Sequence, residues 1–220
     1  MIKMFVCGFY NTLIDEEDAI PTSTMLEIDR MRQKGIKLVI LTNRFEEEVL
    51  YYNHDYPFID YIISLNGSKI RDVNENKITY QTAFTKEELE EIEKEYPRKE
   101  MFFYLQDRVE KTIPQENVYK VEIKGIKAKK KSKYYTSILK KEKDYFLEIC
   151  KNSYLDALRT IPKEEMIAIV GNDSEKELIE SIEKTYVVRN APKEMKENAK
   201  YTTKSNKCKG VEAVIKKEIK

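Results

Sequence analysis

Cysteine, histidine and net charge are all scarce in this chain. Three cysteines, Cys7, Cys150 and Cys208, stand far apart in 220 residues, are odd in number and form no C-x-x-C pair. That pattern excludes a disulfide framework and a cysteine-based metal site, and it fits reduced thiols in a cytoplasmic protein. His54 is the single histidine, so a histidine-rich metal site is excluded as well. It sits in the polar stretch "YYNHDYPF", which predicts a surface residue. Forty basic residues against 39 acidic leave a net charge of +1, and no global field favours nucleic acid or an anionic membrane. No apolar run is long enough to span a bilayer, and the first apolar stretch is too short and wrongly flanked for a signal peptide. The expectation is a cytoplasmic protein without a membrane partner.

What is present supports a folded α/β protein. An apolar fraction of 41% allows a core, while 36% charged residues imply a heavily charged surface. "IKMFVC" (2–7) is short, apolar and β-rich, as a buried strand is. "IPTSTMLEIDRMRQKG" follows, with capping candidates ahead of Met25, Ile28 and Met31 at helical spacing and Gly35 as the stop. "IKLVILTN" (36–43) reads as a second strand, a helix begins near Phe45, and "DYIISLNG" (60–67) reads as a third strand ending in an Asn-Gly turn. This alternation predicts βαβ units and a Rossmann-like parallel sheet.

The alternation breaks near residue 82. "TKEELEEIEKEY" (85–96) predicts a capped helix, "MFFYLQ" (101–106), "NVYKVEIKGI" (117–126) and "YFLEIC" (145–150) predict strands, and 127–143 reads as a lysine-rich helix or loop. From Asn152 the first pattern resumes: helix, strand "MIAIVGND" (166–173), helix "EKELIESIEK", strand "TYVVRN" (185–190), helix "KEMKENA" and a last helix near 209–219. The predicted organisation is a parallel α/β core over 1–82 and 150–220, interrupted by a small α+β cap over 83–149.

With the strings "TLID", "GIKLVILTNR", "FIDYIISLNGSKI", "IAIVGNDS" and "NAPKEMKENAKYTTKSNKCKGV" in this order, the chain resembles the haloacid dehalogenase (HAD) superfamily, and in particular its Cof-type phosphatases. The resemblance implies a phosphatase in which an aspartate ending the first strand attacks phosphorus. A second aspartate two residues later serves as acid and base. A Ser or Thr after the second strand and a lysine hold the phosphate, and acidic residues after the fourth core strand position Mg²⁺.

Anchored on Thr12, the family's D-x-D-G-T falls on Gly8, Phe9, Tyr10, Asn11 and Thr12, so neither catalytic carboxylate is present. Glycine has no side chain to attack with, and a phenol, with an ordinary pKa of about 10, is a poor acid–base group. A slip of one residue would offer Cys7, but it turns the side chain to the other face, and Cys7 reads as a core thiol. Asp15, beyond the turn, is a remote substitute base.

Thr42, Asn43 and Arg44 match the phosphate-binding motif, with a helix cap as the plainer role of the first two. Lys151 is the first choice for the phosphate-binding lysine and Lys163 the second. After the strand, G-D-x-x-x-D becomes Gly171-Asn172-Asp173-Ser174-Glu175-Lys176, leaving Asp173 as a candidate metal ligand and the second acidic place near Glu175 or Lys176. Such a site predicts at most weak Mg²⁺ binding. Asn66 and Asn190 match turn asparagines near the substrate pocket, where backbone geometry is their commoner role.

In the cap, eight lysines between Lys127 and Lys143, with Tyr134 and Tyr135 among them, suit nucleic acid, a protein partner or phosphorylated ligands, and equally a solvated face. The expected function is a catalytically impaired phosphatase homologue keeping a pocket for a small phosphorylated molecule. The alternatives are a hydrolase using Asp15, Asp173 or Cys7, and an interaction module acting through the basic cap.

Overall fold

A computed structural model describes residues 2–14, 17–161, 165–207 and 209–220. Asp15, Lys163 and Cys208, named above, lie outside the described residues.

The elements follow in chain order. β1 (Met4–Gly8), α1 (Thr22–Gln33), β2 (Lys37–Leu41), α2 (Glu46–Asn53) and β3 (Tyr61–Ser64) form the opening βαβαβ unit. Then come β4 (Lys69–Asp72), β5 (Lys77–Gln81), α3 (Lys86–Glu95), β6 (Met101–Tyr104), β7 (Val109–Glu110), β8 (Lys120–Lys124), β9 (Tyr135–Lys141) and β10 (Asp144–Cys150). The chain closes with α4 (Tyr154–Leu158), β11 (Met166–Val170), α5 (Leu178–Ser181), β12 (Lys184–Val188), α6 (Lys193–Glu197), β13 (Tyr201–Thr203) and α7 (Gly210–Glu218).

One sheet runs β13-β12-β11-β1-β2-β3-β4-β5. Its strands are parallel from β13 to β3, and β4 and β5 join antiparallel. β1 lies in the middle, with all five residues buried, because an apolar strand of this kind is stable only when both faces are covered. α1 buries Ile28 and Met31 in the same core cluster, with Met25, the third residue that the helical spacing singles out, partly buried against it. A second sheet, β7-β6-β8-β10-β9, is antiparallel and builds its own apolar cluster against α3, from Leu89 and Ile92 to Phe103, Val121, Leu147 and Ile149. α3 starts at a capping box in which Thr85 and Glu88 satisfy each other's backbone N–H groups. The architecture is the expected Rossmann-like core with a small cap sheet. No helix among the described residues is long and apolar enough to cross a membrane.

Three expectations need correction. The lysine-rich stretch is not a helix or bare loop throughout, because Tyr135–Lys141 forms β9, paired along its length with β10. Tyr135, Thr136 and Ile138 within it favour a strand, lysine enters only at its last two positions, and a seven-residue register with β10 completes it. The stretch "EKELIESIEK" forms only the four-residue α5. The sheet also gains β4, β5 and β13, short or polar segments whose strand character comes from pairing rather than composition.

Where β3 ends, the Leu65–Gly67 turn presses against the start of α4. Gly67 has φ +100°, and a Cβ there would lie 2.2 Å from the carbonyl oxygen of Ser153. Replacing Gly67 by alanine is therefore expected to destabilise the protein by at least about 2 kcal/mol in urea unfolding, combining positive-φ strain with a backbone clash. A loss below about 0.5 kcal/mol, the size of an ordinary surface change, would show that this turn relaxes.

Candidate functional site

Because β1, β2, β3, β11 and β12 are parallel, their following loops gather at one edge of the sheet, where open α/β folds bind ligands. After β1 the chain turns through Tyr10 and Asn11, the latter at φ 59°. Tyr10 points away from the strand end. Its hydroxyl donates to Glu48 (2.7 Å), and the Arg44 guanidinium stacks on its ring 3.9 Å from the centroid while donating to the same carboxylate (3.1 Å). Burial first, and then Glu48, push the phenol above its ordinary pKa, so at neutral pH it stays a donor. Cys7 is fully buried and donates to the Gly8 carbonyl; burial raises the thiol well above its usual range and keeps it protonated.

The place beside Gly8 is taken by Glu175. A Cβ on Gly8 would lie 2.6 Å from Glu175 Oε1 and 2.9 Å from Oε2. That carboxylate accepts the backbone N–H groups of Gly171 (2.8 Å) and Asn172 (3.1 Å) and the Asn172 side-chain amide (3.3 Å). Asn172 also donates to the Tyr10 carbonyl and accepts from Asn11, and Asn190 donates to the Asn11 carbonyl. The loops after β1, β11 and β12 are thus joined by amides. Glu175 is 1% exposed, and burial pushes its carboxyl up to about 7 against the opposing pull of its N–H donors.

The remaining sequence candidates divide. Thr42 is buried and accepts the Arg44 N–H (3.1 Å), a cap for the turn into α2. Asn43 donates to Glu148 of the cap (3.1 Å). Asp173 also faces the cap, accepting the Ile138 N–H (3.0 Å) and pairing with Lys129 (2.9 Å). Asn66, at φ 56°, donates to Ser137 of β9 and accepts from Tyr154. Lys151 reaches Glu88 at the cap helix (2.9 Å) and lines neither cleft described below. His54 is exposed and lies 2.8 Å from Asp55. Of the cap lysines, Lys129, Lys133 and Lys141 pair with Asp173, Glu91 and Glu122.

Two adjoining clefts lie between core and cap. One of about 440 Å³ brings together Asn11, Asn43, Asn172, Asp173 and Asn190. The other, about 560 Å³, is lined by Tyr10, Arg44, Tyr104, Lys120 and Lys141 among others, and shares Asn11, Asn43 and Asn172 with the first. Lys120 is a functional neighbour that the motif reading missed. Its buried ammonium donates to the Asn43 carbonyl (2.6 Å), Glu122 (2.8 Å) and Glu148 (3.3 Å), and lies 4.0 Å from the Tyr104 ring centroid. Burial alone would lower its pKa, but Glu148 and Glu122 outweigh it and hold the lysine charged. The signal was present: Lys120, Glu122 and Glu148 interrupt apolar strands at alternate positions, which marks one polar face on a buried sheet.

A family model for haloacid dehalogenase-like hydrolases matches residues 6–158 and 149–215. The chain belongs to that family. Its fold is shared with a haloacid dehalogenase-like hydrolase from B. subtilis (TM-score 0.83, 16% identity, 99% of this chain and 100% of that one covered). A phosphatase of the same superfamily, BT1666 from Bacteroides thetaiotaomicron, matches at TM-score 0.79 and 14% identity over 99% and 95% of the two chains. The subclass IIB sugar phosphatase BT4131 matches at 0.77 and 15%, with 98% of each chain covered. No curated protein matches the chain.

HAD phosphatases generally use Mg²⁺, and the donor set here does not fit one. Position 8 supplies no ligand atom, both Glu175 oxygens already accept N–H groups, and an Asp173 oxygen is held by an N–H and an ammonium. Among the described residues no group of three or more His, Cys, Asp or Glu could hold a metal.

Two outcomes follow for stability. Glu175 has a folded pKa of about 7 against an ordinary 4.5, so the folded state binds its proton more tightly than the unfolded one. Its contribution to stability is fully present below about pH 4.5, falls as pH rises to about 7, and stays lost above, by roughly 3 kcal/mol in all. Denaturant unfolding of Glu175→Gln should show that slope flattened; an unchanged slope assigns it to other groups. Lys120→Met leaves Glu148 buried without its cation and should cost about 3–5 kcal/mol, with Glu148→Gln recovering part of the loss. No recovery in the double variant would mean that the two do not act as a pair.

Proposed function

We propose that this haloacid dehalogenase-like phosphatase homologue is catalytically impaired, and that it keeps the cleft between core and cap as a binding pocket for a small phosphorylated molecule. The observation that carries the reading is the end of β1, where Gly8 offers no nucleophile and Tyr10 is turned to Glu48 and Arg44. An aspartyl-phosphate needs a carboxylate at the first place and an acid–base group at the second. Neither Cys7 nor Asp173 takes over: the thiol is buried and protonated, and the carboxylate is paired with Lys129.

Binding is supported by the cleft lining. Arg44 keeps 52% of its side chain exposed beside Asn43, Asn11 and Asn172, so a guanidinium and several amides face one opening. A guanidinium and amide N–H groups are suited to phosphate oxygens. A sugar phosphatase among the similar folds makes sugar phosphates the first ligands to try.

Purified protein with MgCl₂ should release no phosphate from a panel of phosphate esters above a matched mock purification. Calorimetry should detect binding of a sugar phosphate, weakened at least tenfold by Arg44→Ala. Turnover by the wild type above the mock preparation overturns the impairment, and absence of binding across the panel overturns the pocket.

A further inference from the structure

Two departures from the family pattern meet one acidic residue in one place. Gly8 lacks the aspartate, Asn172 stands where the first acidic residue after the fourth core strand is expected, and Glu175, near the second acidic place, brings a carboxylate to position 8 from the same loop. The returned group is oriented by the loop itself, with the N–H groups of Gly171 and Asn172 on one oxygen and the Asn172 amide on the other. Its oxygens lie 2.6 and 2.9 Å from where a Cβ at position 8 would be, with no solvent between. Gly171, whose N–H holds the carboxylate, is itself closely packed, since a Cβ there would meet the Thr12 hydroxyl at 2.5 Å.

We infer that Glu175 is a relocated carboxylate that fills the space of the lost side chain at position 8, so that side chains at 8 and 175 exclude each other and the loop closes on N–H donors instead of on a divalent cation. A metal-centred site needs oxygens converging on a common point. Here the corresponding oxygens converge on amide hydrogens, which the same loop supplies. The closed loop then presents Asp173 and the Ser174 carbonyl to the cap, where Ile138, Lys129 and Tyr135 bind them. The relocation thus turns an ion-binding loop into a docking point for the cap. This inference rests on the reading of the site as impaired.

A double-mutant cycle tests it. Gly8→Ala should lower the thermal midpoint by several degrees in the wild-type background and leave it unchanged or raised in a Glu175→Ala background, where the colliding oxygens are gone. If Gly8→Ala does not fold alone, recovery of folded protein in the double variant is the same result. If Glu175→Ala does not fold, Glu175→Asp, which withdraws the carboxylate by one methylene, serves as the background. In parallel, millimolar MgCl₂ should leave the wild-type midpoint where KCl of equal ionic strength leaves it. An equal loss in both backgrounds overturns the exclusion, and a Mg²⁺-specific rise overturns the metal-free closure. Phosphate-ester turnover by the wild type would overturn the impaired reading while leaving the cycle's result to stand, so the two failures are told apart.

Discussion

The carboxylate of Glu175, buried where the central strand ends, is the interaction on which the rest of this site depends. A charge-bearing group in that position is tolerated only with hydrogen-bond donors around it, and the Gly171–Asn172 turn supplies them. The turn in turn needs Asn172 to bridge to Tyr10 and Asn11, which draws the loop after β1 into the same network. Gly8 is then glycine for lack of room, its backbone being ordinary extended chain at φ −60°. The Glu175 carboxylate is thus satisfied from within by the protein's own N–H groups.

The same logic extends across the boundary between core and cap. Lys120, Glu122 and Glu148 form a buried charged cluster, tied to the core through the Asn43 carbonyl and amide. Ser137 links Glu148 to Asn66, and Tyr135 holds the Ser174 carbonyl. Burying such charges carries a desolvation cost that good geometry offsets, and removal of one partner strands the others. Asn43, Asn66 and Asp173, singled out in the sequence as site candidates, are here bonded to Glu148, Ser137 and the Ile138 N–H of the cap. The clefts that remain are lined by amides, Arg44, lysines, carboxylates and aromatic rings.

Much of this was legible in the residues. The apolar strands at 4–8, 37–41 and 166–170 announce themselves by composition, and the missing aspartates are visible as Gly8 and Tyr10. Less was legible where side-chain direction matters. Lys151 stands near the family's lysine place in sequence, yet its ammonium pairs with Glu88 of the cap helix. β9 was hidden by the lysines at 127–133 that precede it and by Lys140 and Lys141 at its end, although Tyr135, Thr136 and Ile138 favour a strand. Thr42 and Asn66 belong to turns and interfaces rather than to an open pocket wall.

The sequence by itself determined the family, the parallel core with its inserted cap, and the presence of Gly8 and Tyr10 at the end of the first strand. Each is a property of local pattern, of apolar periodicity or of which atoms a residue owns. Only the tertiary structure decided that Glu175 occupies the vacated place, that Asp173 and Asn43 turn to the cap, and that Lys120 rather than Lys151 lies in the cleft. Those outcomes depend on distances between segments far apart in the chain, such as the 2.6 Å between Glu175 Oε1 and the place a Cβ on Gly8 would take. No spacing along the chain encodes such a distance, because it is set by how the sheet, the loops and the cap pack together.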